Sequence, residues 1–187
     1  MTGDDTVQRP PYLPGDPPPE TGVAAMIRVD HAGEYGATRI YDGQLAVLRR
    51  GPVRAAVAEM AEQEARHLAA FDALVRQRRV RPTLLQPLWS VAGFALGAAT
   101  ALLGERAAMA CTVAVEEVID EHYGRQAERI GDRDPALRDT IREFRDDELR
   151  HRQAALDHGA AETLGYGAIS AAIKAGSRLA IWLSTRL

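Results

Sequence analysis

Apolar residues recur every three to four positions through four stretches of the chain, the spacing that one face of an α-helix imposes. The first stretch predicts a helix over residues 21–50, with Thr21 as N-cap and the stripe Val23, Ile27, Glu34, Thr38, Tyr41, Leu45, Leu48. Gly51 can end it, and Pro52 can open a second helix over 52–78 with the stripe Val53, Val57, Met60, Glu64, His67, Phe71, Leu74. A third is predicted over 105–130 through Met109, Val113, Glu116, Asp120, Tyr123, Ala127 and Ile130. Gly131 stops it. Asp134 and Pro135 then cap and start a fourth over 135–158, with Leu137, Ile141, Phe144, Glu148, His151 and Ala155 inward.

A glutamate interrupts the apolar stripe of each helix. An ionised carboxylate buried alone costs several kcal/mol, so something must offset four of them, and a bound cation is the best candidate. In the second and fourth helices a histidine follows three residues on, Glu64 with His67 and Glu148 with His151, so both side chains share one face. The pattern is doubled: 30 residues separate Glu34 from Glu64, and 32 separate Glu116 from Glu148. At about 1.5 Å per residue, the two carboxylates of each hairpin lie at similar depth, roughly 20 Å from its turn. Two such hairpins packed face to face bring four Glu and two His to one point. That is the ligand set of ferritin-like di-iron and di-manganese proteins, and its oxygen-rich character suits iron or manganese better than zinc. The fold class predicted is therefore all-α, a ferritin-like four-helix bundle.

Several neighbours need a choice. Glu116 continues the stripe of Met109 and Val113, whereas Glu117 points about 100° away, so Glu116 is the expected ligand. Asp147 can orient the imidazole of His67 or lie exposed on its helix. His31, His122 and His158 are expected at the surface or in hydrogen bonds outside the ligand set. Tyr123 lies two turns beyond Glu116 and is expected either to face the cavity beyond the metals or to pack in the core.

Composition adds exclusions. A chain of 187 residues supports one domain, expected over 21–187. Sparse aromatics and abundant alanine favour helices over sheet. A net charge of -3 gives no reason to expect a nucleic-acid partner. The single cysteine, Cys111, rules out an intrachain disulfide and is expected in the core. Residues 1–20 hold six prolines and three aspartates, with no apolar run, and are expected to be a disordered lead-in rather than a targeting signal. Residues 82–104 carry no charge, and 163–187 carry no acid but do carry Lys174, Arg178 and Arg186. A single membrane span over 82–104 would separate the two hairpins and destroy the metal site. It is therefore expected as a long crossover on the bundle or in the membrane interface, with 163–187 as an interfacial helix drawn to anionic lipid. Packing of both on the core or on another subunit is the alternative.

The stretches RVDHAGEYGATRIYDGQLAVL (28–48), EQEARH (62–67), RPTLLQPLWSVAGFALGAATALLG (81–104), ACTVAVEE (110–117) and FRDDELRH (144–151) closely resemble the demethoxyubiquinone hydroxylase family of ubiquinone biosynthesis. All six family ligand positions carry the expected residue type, at Glu34, Glu64, His67, Glu116, Glu148 and His151. His122 and Tyr123 match a His-Tyr pair that the family associates with electron delivery and substrate. The resemblance implies two iron ions, an O2-dependent monooxygenase acting on a quinone ring, a polyprenyl-tailed substrate, and NADH as electron donor. It further implies a peripheral protein on the cytoplasmic face of a bacterial plasma membrane, as a homo-oligomer or in a biosynthetic complex. The chain lacks the GxGxxG fingerprint of a resident dinucleotide fold. The rival readings are a ferroxidase, peroxidase or manganese catalase, and a non-enzymatic quinone-binding scaffold.

Overall fold

The computed structural model describes residues 19–187; the lead-in expected over 1–20 lies outside them except for Pro19 and Glu20, which already belong to the first helix. The described residues form α1 (Pro19–Val47), α2 (Pro52–Gln77), α3 (Gln86–Leu102), α4 (Glu105–Ile130), α5 (Pro135–Asp157), one 3-10 turn (Ala160–Glu162) and α6 (Tyr166–Ser184), with no strand. The four long helices are those that the periodicity predicts. Pro52 opens α2 immediately after Gly51, and Asp134 caps α5 by accepting the Leu137 amide at 3.2 Å.

The ends of α1 differ from expectation. Helix is already present at Pro19, so Thr21 lies inside it and does not cap it. At the other end α1 stops at Val47 rather than Arg50, because the Arg54 guanidinium donates to the Leu45 and Leu48 carbonyls and satisfies the last turn from outside.

α1 with α2, and α4 with α5, form the two hairpins of a ferritin-like bundle. The crossover helix α3 lies along α1, and α6 lies along α4 and also reaches α1. Contact between α1 and α3 is close enough that a methyl at Gly97 would overlap the Ile40 carbonyl, and one at Gly43 the Phe94 carbonyl. A helix with neighbours on two sides buries more than one stripe. Every residue from Ala107 to Glu116 of α4 is accordingly buried, Cys111 among them. Asp120, predicted inward, turns instead to the surface side and pairs with Arg145 at 2.6 Å, since a buried acid away from the central cluster would have no cation to offset it.

Two apolar clusters fill the bundle. One contains Tyr41, Leu48, Val57, Met60, Met109 and Val113; the other contains Ile27, Phe71, Tyr123, Leu137, Ile141 and Phe144. Each large side chain removed from water contributes about 1.5–3 kcal/mol, and together they hold polar groups in a place where those groups alone would not stay. No described helix is long and apolar enough to cross a membrane. α3 and α6 are joined where Trp89 Nε1 donates to Ser184 Oγ at 2.9 Å. Their outer faces expose large apolar side chains: Leu88, Val91 and Leu102 on α3, Leu179 and Trp182 on α6.

Candidate metal centre

All six residues singled out by periodicity converge in the bundle. Glu34, Glu64, Glu116 and Glu148 are buried, each with 2% exposure or less, and His67 and His151 are buried beside them. They form two overlapping groups. Glu34, Glu64, His67 and Glu148 make one, and Glu64, Glu116, Glu148 and His151 the other; within each group the candidate ligand atoms lie within 4.8 Å of one another. Glu64 and Glu148 belong to both, so either could serve two adjacent cations. Glu116 rather than Glu117 enters the cluster. Glu117 stays half-exposed and pairs with Lys174 on α6.

Both imidazoles present Nδ1 to the carboxylates. His67 Nδ1 lies 3.2 Å from Glu148 and 3.6 Å from Glu34, and His151 Nδ1 lies 3.1 Å from both Glu64 and Glu148. Their Nε2 atoms turn outward. That of His67 stands 3.0 Å from Asp147 Oδ2, and that of His151 stands 3.2 Å from Gln63 Oε1. A carboxylate or amide oxygen only accepts, so Nε2 is the donor in both rings, and Nδ1 is the nitrogen that the neutral imidazole offers to a cation. Phe144 stacks on the His67 ring at 4.0 Å and fixes its plane.

The electrostatics fit a cation. Burial, reinforced by Glu148, Glu34 and Glu116, pushes the Glu64 carboxyl well above the usual carboxylate range. Burial and the Glu148 charge do the same for Glu116, and burial likewise raises Glu148 against the opposing pull of His67. For His67, burial acts downward, but the adjacent Glu148 and Glu34 carboxylates outweigh it and raise the imidazole to about 9. Burial lowers His151. Among the described residues, Glu34 Oε2, both oxygens of Glu64, Glu116 Oε2, Glu148 Oε1 and His67 Nδ1 find no hydrogen-bond partner. Buried polar atoms are seldom left so, and four carboxylates with two imidazoles form a donor set that divalent cations satisfy.

The remaining predicted residues separate. Tyr123 packs in the core against the Phe71 ring and donates its hydroxyl to Glu34 Oε1; it does not line the apolar cavity. His122 lies outside the ligand groups, with Nε2 3.1 Å from the buried Asp30. His31 is buried and pairs with Asp72 at 3.0 Å. Asp147 serves His67 as expected and also binds Arg150. Two members of the site escaped the sequence reading, Tyr41 and Gln63. Tyr41 donates to Glu116 Oε1 at 2.8 Å. A signal existed: Tyr41 follows Glu34 by seven residues, as Tyr123 follows Glu116. Likewise Gln63 precedes one Glu-x-x-His as Asp147 precedes the other.

Beside the cluster lies an apolar cavity of about 510 Å³ between α1, α3, α4 and α6. Ala37, Ile40 and Val115 line it and also line a smaller void against Tyr41, Thr112 and Glu116. The cavity thus ends one side-chain layer from the carboxylates.

A helical bundle with two carboxylate–histidine groups sharing two glutamates defines the class of ferritin-like carboxylate metalloproteins. Within it, the chain belongs to the family described as ubiquinone biosynthesis protein COQ7, which matches residues 21–184. It is 56% identical to the 3-demethoxyubiquinol 3-hydroxylase of Rhodospirillum rubrum, over 94% of this chain and 83% of the relative. It is 53% identical to the human mitochondrial NADPH-dependent 3-demethoxyubiquinone 3-hydroxylase, over 88% of this chain and 78% of the relative. The 5-demethoxyubiquinone hydroxylase of Saccharomyces cerevisiae is 42% identical, over 87% and 77%.

Proposed function

We propose that this protein is an O2-dependent monooxygenase that hydroxylates the ring of a demethoxyubiquinone or its quinol, using two iron ions held by Glu34, Glu64, His67, Glu116, Glu148 and His151. The observation that carries the reading is the adjacency of the apolar cavity to the carboxylate cluster across Ala37, Ile40 and Val115. A ferroxidase or peroxidase needs no apolar cavity there, and a quinone scaffold needs no second carboxylate–histidine group.

When bound, the irons supply the two-metal reduction of O2. The balance is one ring C–H, one O2, two electrons and two protons giving one C–OH and one water. The chain's own residues do the rest. The cavity excludes water and orients the ring toward Glu116. Tyr41 and Tyr123 hold Glu116 and Glu34 through their hydroxyls, and burial keeps both phenols protonated, far above their ordinary range. Asp147 and Gln63 fix the imidazoles. His122 and Tyr123 stand side by side, ring centres 6.1 Å apart, and are the residues we assign to passing electrons or protons between the surface and the cluster. The donor we propose is a reduced nicotinamide, NADH; the human relative's name specifies NADPH.

The substrate's polyprenyl tail accounts for the exposed apolar faces of α3 and α6, which we read as a peripheral attachment to a membrane, at the cytoplasmic face in a bacterium. Val91 is 70% exposed and Leu102 75%, values unusual for packed helices in water. The basic residues of α6 contribute less to this attachment than their sequence suggests. Lys174 pairs with Glu117 and Arg178 pairs with Glu121. A homo-oligomer or biosynthetic complex would cover part of the same apolar surface.

The test is aerobic incubation of iron-loaded protein with demethoxyubiquinone and NADH under 18O2, with mass spectrometry of the quinone. The expected product gains one hydroxyl carrying the label. Label arriving from water, or consumption of peroxide without hydroxylation, overturns the reading.

A further inference from the structure

The centre has an internal two-fold pattern with one break in it. Tyr41 on α1 donates to Glu116 on α4, and Tyr123 on α4 donates to Glu34 on α1. The residue before each Glu-x-x-His reaches across to the other motif's imidazole: Asp147 to His67 at 3.0 Å, and Gln63 to His151 at 3.2 Å. The geometry matches on the two sides, but the chemistry does not. Asp147 is an anion and Gln63 a neutral amide.

An anionic acceptor draws on the Nε2 proton more strongly than an amide does, and so makes Nδ1 of the same ring the better electron donor to a cation. We infer that the two metal positions are inequivalent: the position served by Glu34 and His67 is the tighter and fills first, because Asp147 supports its histidine while only Gln63 supports the other. The inference rests on the reading of this cluster as a metal centre. Asp147 and Gln63 are positioning residues here; neither belongs to the two ligand groups. Arg150 also binds Asp147 and tempers its charge without removing it, since the Arg150 side chain is two-thirds exposed and its own charge is screened by water. Phe144 stacked on His67 and Tyr41 edge-on to His151 at 6.4 Å carry no charge; each ring faces two cluster carboxylates, and the Arg150 charge also acts on His151, on the side that only Gln63 supports. The two tyrosine–glutamate bonds repeat on both sides and cancel in the comparison.

The experiment titrates metal-free protein with Fe(II) under anaerobic conditions, following heat, in the wild type, Asp147→Asn and Gln63→Glu. Both substitutions are nearly isosteric, and the helical circular dichroism of each variant checks that the bundle forms. The wild type is expected to bind in two separated steps. Asp147→Asn weakens the first step about tenfold or more and draws the two together. Gln63→Glu tightens the second. A second readout is the imidazole N–H resonances of the diamagnetic Zn(II)-loaded protein. His67 Nε2–H is expected further downfield than that of His151, and Gln63→Glu is expected to move the His151 signal toward it. A purely structural role for Gln63 would leave that resonance in place. Two equal steps in the wild type, or unchanged affinities and resonances in both variants, overturn the inference. Failure of the wild type to bind any metal overturns the metal-centre reading instead, so the two failures are distinguishable.

Discussion

The Tyr41 hydroxyl on α1 donates to Glu116 Oε1 on α4 at 2.8 Å, with both side chains buried. This contact links the two hairpins across the core and lies between the apolar cavity and the cluster. Tyr41→Phe removes the donor and leaves a buried carboxylate oxygen without a partner. The expected cost is about 1–3 kcal/mol in urea unfolding of the metal-loaded protein, with the ligand set intact and metal retained. Unchanged stability would show that the bond contributes nothing net.

Glu64 and Glu148 belong to both ligand groups, whereas Glu34 and Glu116 belong to one each. Glu64→Ala or Glu148→Ala should therefore lose most of both metals. Glu34→Ala or Glu116→Ala should keep close to one ion per chain, and Glu117→Ala should keep two. Metal analysis of protein made with ample iron checks all five. Loss of metal from Glu117→Ala with retention by Glu116→Ala would reverse the choice between these neighbours.

Stability of the metal-free protein should fall as pH rises. The native values of Glu64, Glu116 and Glu148 lie above the ordinary carboxylate value, so native protein keeps protons that the unfolded chain releases. Stability from these groups is complete below about 4.5 and is lost as pH climbs through the raised values. His67 has the same sign: its contribution is complete below its ordinary 6.5 and is lost toward about 9. His151 has the opposite sign, but its lowered value places that effect below 6.5, outside the window. Each proton released contributes a slope of about 1.4 kcal/mol per pH unit. The Tm of metal-free protein should drop between about pH 7 and about pH 9, and bound metal, which holds the ligands deprotonated already, should flatten the curve. Scanning calorimetry with and without metal decides it.

Membrane attachment should depend on the exposed apolar faces rather than on the basic residues of α6. Val91→Glu with Trp182→Glu should weaken flotation with liposomes while leaving metal content unchanged. Lys174→Gln with Arg178→Gln should change flotation little, because their charges already face Glu117 and Glu121. Leu96 is a poor probe of this surface, since it lines the inner cavity. Flotation that survives the first pair but not the second would assign the attachment to charge.

The sequence by itself determined the four long helices, the start of α2 at Pro52 and the cap of α5 at Asp134, and the six cluster residues. Those features follow from local rules, the 3.6-residue period, capping chemistry and the cost of an acid on an apolar stripe, each of which acts within a few turns. The partners of Tyr41, Gln63 and His122 needed the tertiary structure, because they lie 75, 88 and 92 residues away. The packing of α3 on α1 decided where the cavity lies, and the ion pairs between α4 and α6 decided which charges remain for a lipid surface. Periodicity reports which face of a helix is buried; only packing selects the helix that covers it, and so decides that Asp147 meets His67 while Gln63 meets His151.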